Sequence, residues 1–304
     1  LKTIYVVDNV NRAGLDILEK NGFRVYEKNP SLSFSESRQE TNLEDVFAII
    51  IRANRLTKSD LKLFPNLKLI VRHGVGVDNL PLQALKAAGI GLTYTPGINS
   101  SSVAELTLGF MLLLSRHLQL LGTPKIEEDG TLIKQKTVGL IGYGEIARRV
   151  AALLQPFQVK LLVYNHRPKK LLYGELVSLD TLLKKSDIIS LHIPATAETK
   201  NIIDDKAIRK MKKNAYLINT ARGSLVNTTA LYNALASKQI AGAAVDTLDD
   251  SDSFTVEKLT KLTNFVATPH IGANTSENLI SSSKRCAEEI LRFKNGQEPI
   301  CSYF

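Results

Sequence analysis

Residues 136–154 constrain the fold of this chain more than any other stretch. An apolar run, Val138 to Ile141, leads into Gly142-x-Gly144-x-x-Ala147, and apolar residues then recur at helical spacing at Val150, Leu153 and Leu154. The order is strand, tight turn, helix. Gly142 permits the turn, Gly144 lets a bound group approach the backbone, and the small Ala147 lets helix and strand pack closely. Such a turn leaves unpaired N–H groups at a helix N-terminus, an arrangement suited to a pyrophosphate. A second apolar strand, Val159 to Tyr164, completes the context that a dinucleotide-binding unit requires.

At the end of that second strand, dinucleotide folds usually place an acid on the ribose 2′-hydroxyl. This chain has Asn165 there, followed by His166, Arg167, Pro168, Lys169 and Lys170. The carboxylate that would repel a 2′-phosphate is absent and cations that would attract one adjoin the position. The sequence therefore predicts a preference for NADP over NAD.

A chain of 304 residues has room for two domains, each with its own core. The longest apolar run, Leu106 to Leu114, is interrupted by Thr107 and Gly109 and is too short to cross a bilayer. No secretory signal is apparent, and Cys286 and Cys301 have no metal-ligand spacing, so a cytoplasmic protein without a disulfide framework or a metal is expected. The net charge of +9 permits a nucleic-acid reading. Its cations are dispersed and lack interleaved aromatic residues, so anionic small molecules are the preferred explanation.

Residues 1–98 alternate strand and helix signals, and their strands are continuous apolar runs, as a parallel sheet covered on both faces requires. The segment Asn29 to Asn42 reads as a surface loop. A helix is predicted over 99–117 and a polar, Gly- and Pro-containing linker after it. From 136 to 267 the alternation resumes, with strands at Val138, Leu161, Ile188, Tyr216, Ala241 and Phe265, and a last helix is predicted over 276–294. That helix is expected to cross back onto the first domain, with the ligand in the crevice between domains.

Three further stretches follow apolar strands, where open α/β sheets place ligands. Arg72-His-Gly-Val-Gly-Val-Asp78 offers backbone N–H groups suited to a carboxylate, with Arg72 and Arg52 as candidate ligands for a second anion. Arg222, in Ile218-Asn-Thr-Ala-Arg222, presents a guanidinium fork to a carboxylate or carbonyl oxygen. His270, after Thr268-Pro269 and before Ile271-Gly272, is a natural general base for an alcohol proton.

Together these motifs resemble the D-isomer-specific 2-hydroxyacid dehydrogenases, and within them the phosphoglycerate dehydrogenase group of serine biosynthesis. The likeness rests on RHGVGVDN at 72–79, VAELTLG at 103–109, GLIGYGEIA at 139–147, SLHIPATAET at 190–199, INTARGSLV at 218–226, AGAAVD at 241–246 and TPHIGA at 268–273. It implies two doubly wound parallel-sheet α/β domains, a Rossmann cofactor domain at 99–272 inserted in a flavodoxin-like substrate domain at 1–98 and 273–304. It makes His270 the acid/base and Arg222 the ligand of the substrate's carboxylate and keto oxygen, with Val75 and Gly76 on the carboxylate and Arg52 and Arg72 on a phosphate. The cofactor set it implies is Gly142, Gly144, Glu145, Ile146, Asn165, His166, Arg167, His192, Thr220, Asp246 and Gly272, with Asp246 at the nicotinamide carboxamide.

The chain departs from the family pattern where a Glu normally pairs with the histidine, since Ser251 takes that place. Asp250 or Asp252 is expected to substitute. The linker over 116–136 is shorter than usual, yet a homodimer remains the expectation. Asn165 is otherwise a feature of glyoxylate and hydroxypyruvate reductases. The chain closes soon after its last helix, so feedback through a regulatory domain is not expected. The leading substrate by sequence is 3-phosphoglycerate, followed by glyoxylate or hydroxypyruvate, and a dinucleotide-sensing regulatory protein is the reading from another class.

Overall fold

The computed structural model describes residues 1–120, 129–249 and 252–304. It divides into two compact units, Leu1–Asn99 with Asn274–Phe304, and Ser100–Ala273.

The first unit is built on five parallel strands: β1 (Thr3–Val6), β2 (Arg24–Glu27), β3 (Val46–Ile51), β4 (Leu69–Arg72) and β5 (Gly91–Tyr94). Their order is β2-β1-β3-β4-β5, the doubly wound flavodoxin-like arrangement. Every residue of β1, β3 and β4 is buried, which explains why their sequences are apolar throughout rather than alternating. Helix α1 (Arg12–Lys20) starts where the Asn11 side chain accepts from the Ala13 N–H, and helix α2 (Lys58–Leu61) starts with a Thr57/Asp60 capping box. Helix α3 (Leu82–Ala87) precedes β5.

The last helix of the chain, Ser276–Lys294, belongs to this unit and is called α10 in chain order. Its Cys286, Ala287 and Ile290 are buried with Ile4, Leu15 and Leu18 of β1 and α1. Beyond it, Tyr94 N–H donates to the Cys301 carbonyl and Tyr303 N–H to that of Leu92, covering the open edge of β5. The buried Glu289 carboxylate anchors this segment by accepting from the N–H groups of Ile300 (3.2 Å) and Cys301 (3.1 Å).

The second unit opens with α4 (Ser100–Ser115), whose buried face carries Val103, Ala104, Thr107, Phe110, Met111 and Leu114. Seven parallel strands follow: β6 (Thr137–Ile141), β7 (Lys160–Tyr164), β8 (Glu175–Leu176), β9 (Ile188–Leu191), β10 (Tyr216–Asn219), β11 (Gly242–Val245) and β12 (Phe265–Ala267). The order β12-β11-β10-β9-β6-β7-β8 is the dinucleotide-binding topology, with the chain reversing direction across the sheet between β6 and β9. Helices α5 (Glu145–Leu153), α6 (Leu179–Lys185), α7 (Asp205–Lys210), α8 (Thr228–Ala236) and α9 (Ser253–Thr260) connect the strands. Strand β8, two exposed residues long, is absent from the sequence reading because so short a segment has no apolar run to betray it. Among the described residues no helix is long and apolar enough to cross a membrane.

Candidate active site

In the second unit the sequence-derived residues gather at the C-terminal ends of adjacent strands. The turn after β6 holds Gly142 at φ +98°, and a Cβ there would lie 2.5 Å from the His192 carbonyl oxygen, which follows β9. Only glycine satisfies both conditions. A Cβ at Gly144, by contrast, would meet no atom within 4 Å. Gly144 is the N-cap of α5 and supplies no side-chain cap, so the helix N-terminus presents backbone N–H groups beside open space. That is the cradle a pyrophosphate requires, and it fits a nicotinamide dinucleotide. Glu145 and Ile146 form the first turn of α5.

Asn165 follows β7 and ties two segments together. Its Oδ1 accepts from the Tyr143 N–H (3.2 Å) and its Nδ2 donates to the Arg167 carbonyl (2.7 Å). His166, Arg167, Lys169 and Lys170 are exposed beyond it. After β9, His192 Nε2 lies 2.9 Å from Ser190 Oγ, and desolvation of the ring pushes its pKa down to about 3. The ring is neutral at physiological pH.

The register of β10, β11 and β12 pairs Asn219 with Val245 and Val245 with Ala267. Thr220, Asp246 and Thr268 therefore continue the three strands at one level. Asn219, only 1% exposed, shapes the turn before Arg222. Its Oδ1 accepts from the Ala221 N–H (3.0 Å) and its Nδ2 donates to the Arg222 carbonyl (2.8 Å). Arg222 Nη1 donates to the Ala221 carbonyl at 2.8 Å. Thr220 Oγ1 pairs with Thr107 Oγ1 of α4 at 3.0 Å.

Asp246 is 2% exposed and fastens the segment that carries His270. Its Oδ1 accepts from Thr268 Oγ1 (2.6 Å) and the Ile271 N–H (2.8 Å), and its Oδ2 from the Gly272 N–H (2.9 Å). His270 N–H donates to the Asp246 carbonyl at 2.9 Å. His270 itself is exposed and adopts φ +55°, a left-handed conformation that costs a non-glycine residue about 1 kcal/mol. The three bonds to the Asp246 carboxylate hold that backbone in place. Arg222 and His270 thus follow strands that flank the one leading to Asp246.

Of the two aspartates expected to stand in for the missing Glu, Asp250 lies outside the described residues, as does Ser251. Asp252 caps α9: it accepts from the Thr255 N–H (3.1 Å), from Thr255 Oγ1 and from Thr229 Oγ1 (3.4 Å). The Thr255 hydroxyl is the main reason its pKa is held below the usual carboxylate value. A short acid three residues before a threonine at a helix start is a capping signal.

In the first unit, Asp8 at the end of β1 accepts from the N–H groups of Arg52 (2.6 Å), Ala53 (3.0 Å) and Asn54 (3.0 Å) and from Asn54 Nδ2 (2.9 Å). Asp8 carries no local signal for this role, since its partners lie more than forty positions away. Arg52 Nη2 donates to Asn274 Oδ1. Arg72 is the other arginine that the resemblance assigns to a phosphate. It is 9% exposed, and its guanidinium turns onto main-chain carbonyls, donating from Nε to Gly76 (2.6 Å) and from Nη1 to His73 (2.6 Å). It thereby shapes the 73–76 loop, in which Gly74 N–H donates to Thr95 Oγ1 (2.8 Å) and Val75 is exposed.

His73, 3% exposed in that loop, has its pKa pushed down to about 4, first by burial and then by the charges of Arg52 and Arg72. Unfolding restores an ordinary imidazole that binds its proton near pH 6.5. Its contribution to stability is therefore complete above about pH 6.5 and is lost as the pH falls towards 4. The expected loss between pH 7 and 4.5 is about 2–3 kcal/mol. Denaturant unfolding at the two pH values checks this: in His73→Gln the acid loss should shrink by that amount, and an unchanged loss removes His73 as its source.

Comparison with known proteins agrees with the topology and the motif positions. A family model for the NAD-binding domain of D-isomer-specific 2-hydroxyacid dehydrogenases matches residues 114–272. A glyoxylate reductase of Thermofilum pendens is 34% identical over 97% of this chain and 92% of its own. The chain belongs to the D-isomer-specific 2-hydroxyacid dehydrogenase family. A D-3-phosphoglycerate dehydrogenase of Synechocystis is 32% identical over 94% of this chain and 53% of its own. The solved structure of the TT0316 protein from Thermus thermophilus superposes with a TM-score of 0.90 at 30% identity, covering 99% of this chain and 100% of the other. The protein is an NAD(P)-dependent D-2-hydroxyacid dehydrogenase acting on a small 2-hydroxyacid or its 2-oxoacid.

Proposed function

We propose that the enzyme is an NADPH-dependent reductase of short 2-oxoacids, with glyoxylate and hydroxypyruvate as its substrates. The observation that carries this reading is Arg72. Of the two arginines at strand ends that suit a substrate phosphate, Arg72 donates inward to the carbonyls of Gly76 and His73. A guanidinium engaged in shaping the loop supports recognition of a carboxylate by the N–H groups of Val75 and Gly76 rather than of a phosphate. The exposed cations lie instead beyond Asn165, where a 2′-phosphate would be read.

In this reading the N–H groups of Glu145 and Ile146 take the pyrophosphate, and His192, Thr220, Asp246 and Gly272 line the nicotinamide side. The dinucleotide supplies the hydride when bound. Arg222 holds the substrate's carboxylate and keto oxygen with its forked donors. His270 gives its ring proton to that oxygen in reduction and takes it back in oxidation. Asp250 is the acid proposed to support the protonated ring.

Oxidation of 3-phosphoglycerate is the second reading, favoured by Arg52, whose guanidinium reaches the side chain of Asn274. Nicotinamide absorbance, followed with NADPH and NADH against glyoxylate, hydroxypyruvate, 3-phosphohydroxypyruvate and pyruvate, separates the readings. Glyoxylate or hydroxypyruvate with NADPH should lead, with NADPH favoured over NADH by about 10- to 100-fold in kcat/KM, the worth of one charge-assisted bond. A preference for the phosphorylated substrate that disappears in Arg52→Ala puts phosphoglycerate first. Tight nucleotide binding without turnover of any substrate points to a sensor.

A further inference from the structure

The cations that follow Asn165 lie on a loop fastened at both ends, and the second fastening involves a residue that lies inside the glycine turn. Tyr143, the residue between Gly142 and Gly144, is 1% exposed. Its hydroxyl accepts from the Tyr173 N–H (3.2 Å) and donates to the Tyr173 carbonyl (3.4 Å). The same residue's backbone N–H donates to Asn165 Oδ1 (3.2 Å), while Asn165 Nδ2 donates to the Arg167 carbonyl (2.7 Å). One residue of the pyrophosphate turn thus holds the start of the 166–173 loop through its backbone and Asn165, and the end of it through its ring hydroxyl. Just beyond, Gly174 at φ +92° packs where a Cβ would come within 2.9 Å of the Leu161 carbonyl oxygen, and Val177 N–H rejoins the sheet at the Val163 carbonyl (2.9 Å).

We propose that Tyr143 is a positioning residue for cofactor selection, holding the Arg167–Lys170 loop in the shape that receives the 2′-phosphate of NADPH. The inference rests on the NADPH reading above. Arg167, Lys169 and Lys170 are all exposed, long and mutually repelling. A loop left to itself would splay them apart and would incur the cost of ordering at the moment of binding. Bonds at residues 165, 167 and 173 meet that cost in the folded protein. The clamp also links the two phosphate sites through one side chain. Whatever fixes the turn around the pyrophosphate also fixes the distance from it to the loop. The hydroxyl is engaged by the Tyr173 backbone, so its effect should fall on discrimination between nucleotides and not on the chemical step.

Binding of 2′,5′-ADP and of 5′-ADP to the whole protein, measured by calorimetry, isolates the 2′-phosphate from the nicotinamide. Wild-type protein should bind 2′,5′-ADP the more tightly. In Tyr143→Phe, which keeps the buried ring and removes the hydroxyl, the ratio of the two affinities should fall about 3- to 10-fold, the worth of a hydrogen bond. The same fall should appear in the NADPH to NADH ratio of KM values and not in that of kcat values. Equal weakening of both nucleotides, or an unchanged ratio, overturns the clamp while leaving the NADPH reading intact. Wild-type protein that binds the two nucleotides alike overturns the NADPH reading and the clamp with it. Should Tyr143→Phe fold poorly, Asn165→Ala opens the other end of the loop, and its ratio must fall likewise.

Discussion

Replacing His270 with asparagine is expected to lower kcat by about two to four powers of ten, the usual worth of a positioned general acid or base. Asparagine is the informative substitute because of the backbone. His270 holds φ +55°, a conformation that asparagine tolerates better than other non-glycine residues. The change removes the titrating ring without unsettling the segment that Asp246 secures through Thr268, Ile271 and Gly272. Nucleotide affinity, followed by protein fluorescence, should stay within about threefold, since a hydrogen bond's worth of change would already exceed that. Steady-state rates at saturating substrate test the role. An Asn variant retaining a third or more of the wild-type kcat would falsify the assignment.

The contrast between His270 and its neighbours shows what a sequence carries and what it withholds. The turn at 142–147 was legible because everything that makes it is local: an apolar strand, a glycine forced by φ and by the nearby His192 carbonyl, and a helix whose first turn follows at once. Strands β1, β3 and β4 were legible because burial on both faces demands unbroken apolar runs. The direction of a long side chain was not. Arg72 reads as an anion ligand from its place at a strand end, and its Nε and Nη1 donate to carbonyls of its own loop. Nothing in the order of residues decides between those partners.

The turn-holding roles of short polar side chains were hidden for a related reason. Asp8, Asn219 and Asp246 satisfy backbone N–H groups of turns, a demand that exists only once the strands are side by side. Asp252 is the opposite case, since its partner Thr255 is three residues away and its cap is a local signal. The family pattern hid it by raising a different question, namely which acid replaces a missing glutamate. The fold was therefore readable wherever period and propensity act over a few residues. Candidate site residues could be named wherever a residue's type alone narrows its chemistry.

Arg222 provides the other large effect, and both kinds of information bear on it. The residue type declares a forked cation, and the structure shows what aims it. Asn219 Nδ2 holds the Arg222 carbonyl at 2.8 Å, and Arg222 Nη1 donates to the Ala221 carbonyl at 2.8 Å. Gly223 then packs so tightly that a Cβ would fall 2.2 Å from the Leu248 carbonyl carbon, which fixes the turn against the segment after β11. A guanidinium starting from so constrained a backbone loses little freedom when it engages a carboxylate. Lysine at 222 keeps the charge and gives up the fork. The loss of one or two charge-assisted bonds, each worth about 1.5–3 kcal/mol, predicts a fall in kcat/KM of about 10- to 10,000-fold for Arg222→Lys. Arg222→Gln, without the charge, should lose more. Added guanidinium ion should restore part of the activity of Arg222→Ala and none of that of His270→Asn. Equal rescue of both, or a lysine variant within about threefold of wild type, less than one hydrogen bond's worth, means that the fork at 222 does not hold the substrate.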